Sequence, residues 1–218
     1  MVWTYKGVNV RWLGHDSFLL QGSKSVLIDP FKSKGDFKAD LILISHEHSD
    51  HLSPDDIKRF STATTKIVAP KVCQEGLKDF KQEKTFIAPG SKITIGEVVV
   101  EAVPAYNTNK FRSPGHVFHP KEDGRVGYVV TLDGVRFYHA GDTDVIPEMS
   151  SVNVDVAFLP VSGTYVMTAD EAVEAAKLVK TKVAIPMHIS RIVGSRADAE
   201  RFKELLGSTM TVEILEQE

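Results

Sequence analysis

The six residues His46-Glu47-His48-Ser49-Asp50-His51, placed directly after the apolar run 41–45, constrain this chain more than any other stretch. They pack four potential metal ligands into one short segment. With 8 histidines in 218 residues, chance would produce such an HxHxDH pattern roughly one time in a thousand, so composition does not account for it. In an extended segment leaving a strand, alternate residues point the same way, so His46 and His48 can share one cation while Asp50 and His51, after a turn, reach a second. The outline is a dinuclear metal site. An exposed polar loop explains the pattern less well, because the segment ends an apolar strand, where open α/β sheets place their sites. A zincin helix is excluded, since the HExxH motif would need a second histidine where Asp50 stands.

At 42% hydrophobic residues the chain can bury one sizeable core and reads as a single domain, 1–218. No stretch reaches the roughly 18–20 uncharged apolar residues of a membrane span, and residues 1–11 lack a basic region followed by an apolar one. A soluble cytoplasmic protein with no membrane association is the expectation. The one cysteine, Cys73, cannot form an internal disulfide and reads as a buried or tolerated thiol. A net charge of −3 gives no general attraction to nucleic acid.

Short β-rich runs at 8–13, 17–21, 26–29, 41–45 and 66–69 lead the chain. Ser53 with Pro54, Asp55 and Asp56 predicts a capped helix start just after the histidine loop. Hairpins are expected at 92–103, around Gly96, and at 126–139, turned by Asp133-Gly134. Thr168 and Glu171 form a capping box ahead of a helix that leads to a strand at 183–185. A last helix near 197–206 leads into 211–215. Two βα-rich halves packed face to face, helices outside, would bring both sets of strand ends to one edge.

The second half supplies further strand-end ligands. Asp142 follows the strand 135–139 in His139-Ala140-Gly141-Asp142, where Gly141 lets the backbone turn so that the carboxylate projects beyond the sheet. His188 ends the apolar run Ala184-Ile185-Pro186-Met187 in the same manner.

With these residues in place the chain resembles the metallo-β-lactamase superfamily of hydrolases, in its lactonase-like and phosphodiesterase-like branch. The resemblance rests on Gly14-His15, Leu27-Ile28-Asp29-Pro30, HEHSDH, Tyr138-His139-Ala140-Gly141-Asp142-Thr143 and Pro186-Met187-His188, in that order. It implies an α+β fold, a four-layer αββα sandwich. Residue by residue, it implies that His46, His48 and a third histidine hold one metal, that Asp50, His51 and His188 hold another, and that Asp142 bridges. The chain departs from the pattern at the third histidine. Similar proteins present Pro-x-x-His, and here the stretch reads Pro104-Ala105-Tyr106-Asn107. His116 and His119 follow; His119 is preferred because Phe118 and Pro120 restrict its backbone, with Asn107 itself as the remaining option. His15 and His139 read as neighbours of the site rather than ligands, and Asp29 as an orienting group or a turn former.

The expected activity is a metal-activated hydroxide attacking a small ester, lactone or phosphodiester, with two divalent ions, zinc first and manganese, iron or nickel as alternatives. Asp50 is assigned proton transfer. Tyr106, Asn107 and Arg112, with Lys110, Phe111 and Tyr165 nearby, are the candidate contacts for an anionic small molecule. Self-association into a homo-oligomer is left open. The alternative is a metal-binding or ligand-sensing module without turnover. A flavin-linked di-iron reductase would replace His48 by Glu, and a processing nuclease would need an inserted domain that this length does not hold.

Overall fold

The computed structural model describes residues 2–218. The first half runs β1 (Trp3–Tyr5), β2 (Val8–Gly14), β3 (Ser17–Gln21), β4 (Ser25–Ile28), β5 (Leu41–Leu43), α1 (Pro54–Phe60), β6 (Lys66–Pro70) and β7 (Glu83–Ile87). The second begins with β8 (Lys92–Ile95), β9 (Val98–Pro104), β10 (Phe111–Ser113) and β11 (His116–Val117). It continues through β12 (Val126–Leu132), β13 (Val135–His139), β14 (Val156–Pro160), α2 (Ala169–Leu178), β15 (Val183–Met187), α3 (Arg196–Leu206) and β16 (Thr211–Val212).

These strands form two seven-stranded sheets and a separate β10-β11 ribbon. The sheets share one plan. In the first, β1 to β4 pair antiparallel and β4 to β7 parallel. In the second, β8, β9, β12 and β13 pair antiparallel and β13 to β16 parallel. The repeated halves expected from the sequence exist as topology. Together with the helices they make the four-layer αββα sandwich.

Pleating divides the apolar strands between two layers. Val26, Ile28, Leu41 and Leu43 enter the cluster that includes Val100, Tyr128 and Phe137, whereas Leu27, Ile42 and Ile44 pack with Ile57 and Phe60 of α1. Alternate residues face opposite sides of a strand, so a sheet covered on both faces needs an unbroken apolar run. That is why β4 and β5 show no polar alternation. Helices α2 and α3 lie against β14 and β15, and Ala172, Ala176 and Phe202 are fully buried.

The local signals are met. Ser53 accepts a hydrogen bond from the Asp56 amide with Pro54 at the first position, and Thr168 and Glu171 close a reciprocal capping box. Asp133 and Gly134 both have positive φ, 50° and 77°, as a two-residue turn of the mirror-image type requires. Strands β1, β7, β10, β11 and β14 are additional to those expected. Strand β5 ends at Leu43, two residues sooner than expected, and β16 at Val212. Cys73 is buried, and burial pushes its thiol up, away from any nucleophilic role. Among the described residues, no helix is long and apolar enough to cross a membrane.

The turn after β13 depends on a close backbone approach. A Cβ at Gly127 would lie 2.6 Å from the carbonyl oxygens of both His139 and Ala140. Gly127→Ala is therefore expected to cost about 1–3 kcal/mol by overpacking against rigid backbone, read from the denaturant midpoint. An unchanged midpoint would show that the β13 end can shift freely.

Candidate metal centre

The ends of β4, β5, β13 and β15, with the β2–β3 turn, deliver the chemistry to one place. Ser45 and His46 follow β5, and the amides of His51 and Leu52 then donate to the His48 carbonyl, at 2.9 and 2.8 Å. That turn folds Asp50 and His51 back toward the sheet. The Tyr128 hydroxyl donates across the two sheets to the Ile44 carbonyl at 2.7 Å, fixing the level at which the histidine loop leaves β5.

His46, His48 and His119 form one group whose ring nitrogens lie within 4.8 Å of one another. His48 Nδ1 is 3.1 Å from His46 Nε2 and 3.4 Å from His119 Nε2. Their outer nitrogens are held from behind. His46 Nδ1 is 2.9 Å from Ser45 Oγ, and His119 Nδ1 is 2.7 Å from Asn107 Oδ1, which also accepts from the His119 amide. Such outer contacts set the tautomer and leave Nε2 facing the centre. His116, the other candidate, lies exposed on β11.

A second group shares His51 and His188 between two sets, one with His15 and Asp50 and one with Asp16 and Asp142. Asp29 carries the supporting contacts: its carboxylate accepts from the Ser45 amide at 2.7 Å and lies 2.9 Å from His51 Nδ1. His188 Nδ1 meets Ser162 Oγ at 2.9 Å. Asp142 stands between the groups, with Oδ1 3.3 Å from His51 Nε2 and Oδ2 3.4 and 3.5 Å from His119 and His188 Nε2. His15 Nε2 is 3.2 Å from Asp50 Oδ2. His139 is buried and meets the Asp16 carbonyl at 2.8 Å, the packed imidazole expected of it.

The two groups differ in charge. Burial lowers the pKa of His46 and His48 and takes His119 down to about 4, so this trio is neutral at pH 7. Burial also opposes the charged form of His188, but Asp142 and Asp16 outweigh it and raise His188 to about 9. His51 is likewise raised by Asp142 and Asp29 against burial. Burial would raise Asp142, yet His51 and His188 hold it well below the usual carboxylate range. Metal loading at pH 7 is accordingly expected to release about two protons from the second group, because a ligating imidazole must be neutral, in addition to any proton given up by metal-bound water. The His188 share of this release should fade as pH rises past about 9. Calorimetry in buffers of different ionisation enthalpy measures it, and proton-free loading at pH 7 would contradict the assignment.

A cavity of about 260 Å³ opens onto the site, lined by His48, Asp50, Phe118, His119, Asp142 and Tyr165. Larger hollows lie elsewhere, but no histidine lines them. The three expected substrate contacts are not among the residues that line this cavity. Tyr106 turns its hydroxyl to Glu148 at 3.0 Å, Asn107 is buried and bound to His119 and the Tyr165 carbonyl, and Arg112 lies exposed on β10. Lys110 is neutralised by Glu171 at 2.7 Å and Asp144 at 3.3 Å. Glu47, inside the motif, is occupied by Arg125. The sequence reading missed Asp16 and Ser162, and no spacing signal marks either one.

A model of the beta-lactamase superfamily domain matches residues 9–188. A "UPF0173 metal-dependent hydrolase" of Thermococcus kodakarensis is 36% identical, with 96% of each chain covered. The chain belongs to the beta-lactamase superfamily. Among solved structures, a proposed metal-dependent hydrolase from Parabacteroides distasonis matches 100% of this superfamily member, and 98% of its own chain is covered, at 32% identity and a TM-score of 0.81. The metallo hydrolase Igni18 of Ignicoccus hospitalis shares the fold, with a TM-score of 0.78 at 24% identity over 96% of this chain and 95% of its own. This beta-lactamase superfamily protein is a metal-dependent hydrolase, and its His and Asp clusters are the candidate metal ligands.

Proposed function

We propose that this hydrolase works with two divalent ions, zinc first among them, on a small ester or lactone, ahead of a phosphodiester. One observation carries the reading: Asp142 spans two groups of imidazoles, and the inward atoms of the second group are left without partners. His51 Nε2, His188 Nε2 and Asp142 Oδ1 are buried and make no hydrogen bond. Buried polar atoms are nearly always satisfied, and a cation accepts all of these donors at once. The donor set therefore fits the metals. His46, His48 and His119 would hold one, Asp50, His51 and His188 the other, and Asp142 both. When bound, such ions supply a deprotonated water at neutral pH and a Lewis acid for the scissile oxygen.

The chain's own groups do the rest. Asp50 reaches the cavity with Oδ2 3.2 Å from His15 Nε2, and despite burial the His15 and His51 contacts hold it well below its usual pKa. It is thus ionised and, as a weak base, would hold a proton at Oδ2 only in passing before returning it to the leaving group. The rings of Phe118 and Tyr165 meet edge to face, 4.7 Å apart, and wall the cavity against water. No lysine or arginine lines it, which favours a compact, uncharged substrate. A cytoplasmic location belongs to the same reading.

Elemental analysis of gently purified protein and a screen of esters, lactones and phosphodiesters test the proposal. Two ions per chain with ester or lactone turnover are expected. Two ions without turnover would favour the sensing module. Asp50→Asn in the metal-replete enzyme should lower kcat by a factor on the order of 10² to 10⁴, since an amide does not accept the proton. Wild-type rates would remove Asp50 from proton transfer.

A further inference from the structure

We infer that Asp16 is an additional ligand of the second metal position and makes it prefer an oxygen-seeking, six-coordinate ion such as Mn(II). The inference rests on the two-metal reading above. Residues 15 and 16 are the two turn residues of the β2–β3 hairpin, since Gly14 pairs with Ser17. A polar hairpin tip ordinarily lies in water. Here His15 and Asp16 are fully buried, and the turn is clamped from three sides. Trp12 Nε1 donates to the His15 carbonyl at 2.9 Å, the His188 amide donates to the same oxygen at 3.2 Å, and His139 Nε2 meets the Asp16 carbonyl at 2.8 Å. His15 is held at φ 55°, a conformation that costs a non-glycine residue energy and persists only where the surroundings impose it.

The result of that effort is a carboxylate with no hydrogen bond at all. Both side-chain oxygens of Asp16 are buried and unpartnered. Removing a carboxylate from water without hydrogen bonds is costly. The groups that face it are His51 Nε2 at 3.6 Å and the Nε2 atoms of His15 and His188, each at 3.8 Å. Its oxygen lies within 4.8 Å of the ligand atoms of His51, Asp142 and His188. A cation among these four would satisfy Asp16 together with the unpartnered atoms of the other three. With Asp50, the second position then offers three carboxylates and two imidazoles, whereas the first offers three imidazoles and only the shared Asp142 carboxylate. Carboxylate oxygens suit manganese, and an imidazole trio suits zinc. The two positions are chemically unequal.

Chelator-stripped protein is titrated with Mn(II) and with Zn(II), followed by calorimetry, the electron spin resonance of bound Mn(II), and melting temperature. Wild type is expected to hold Mn(II) at one position with zinc at the other. Asp16→Asn should weaken Mn(II) binding at least ~tenfold, leave one zinc bound with unchanged affinity, and leave the metal-free melting temperature unchanged or higher, since no hydrogen bond is lost. Unchanged Mn(II) affinity in Asp16→Asn, with wild type binding two metals, would overturn the inference alone. A wild type that binds only one ion would overturn the two-metal reading and this inference with it. Failure of both Asp16→Asn and Asp16→Ser to fold without metal would assign Asp16 a structural role instead.

Discussion

Asp142→Ala is expected to strip both ions and lower turnover at least ~10³-fold, about 4 kcal/mol of transition-state stabilisation. The size follows from position. This carboxylate faces His51 with one oxygen and His119 and His188 with the other, all within 3.3–3.5 Å, and is 4% exposed. Alanine would leave His51, His119 and His188 without their shared carboxylate, and His51 and His188 owe their raised pKa values largely to Asp142. Losing that anion lets burial shift both imidazoles toward the neutral, ligating form, so any loss of metal in the variant reports the missing carboxylate itself. Elemental analysis of the variant, followed by turnover in metal-replete buffer, measures both effects. Full metal content in Asp142→Ala would remove Asp142 from the bridge.

His119→Ala is expected to weaken the first metal position by a factor on the order of a hundred, with activity falling in parallel, while His116→Ala changes neither. His119 is 1% exposed and its Nε2 lies 3.4 Å from His48 Nδ1, whereas His116 sits exposed on the β10-β11 ribbon. Asn107 adds a graded test. Its Oδ1 accepts from both the amide and Nδ1 of His119, so Asn107→Ala should cost roughly tenfold in metal affinity and Asn107→Asp, which keeps the acceptor, much less. Equal metal affinity in wild type and His119→Ala would return the third ligand to Asn107 or leave that position open.

Lys110, Arg112 and Tyr106 show why pocket walls resist sequence reading. Lys110 and Arg112 are neighbours of a candidate site in sequence, but Lys110 meets Glu171, 61 residues away, and Arg112 stays on an exposed ribbon. A basic residue advertises charge, and only its partner decides whether that charge is free. Tyr106 was claimed by Glu148 in the same way.

Four ligands in six residues, each placed by strand-end geometry, made HxHxDH legible from the chain alone, because period two and one tight turn are local properties. His188 was legible because it ends a continuous apolar run that only a doubly covered strand requires, and Asp142 because Gly141 turns the chain just after a strand. Helix caps and the Asp133-Gly134 turn depend on contacts within three residues and were equally visible. What tertiary structure decided is everything set by long-range approach. It chose His119 over His116 by closing Asn107 behind it across 12 residues of chain, turned Asp29 onto His51 across 22, and buried the Asp16 carboxylate between two sheets. Those pairings join groups with no shared local period, so their geometry exists only once the two halves are packed.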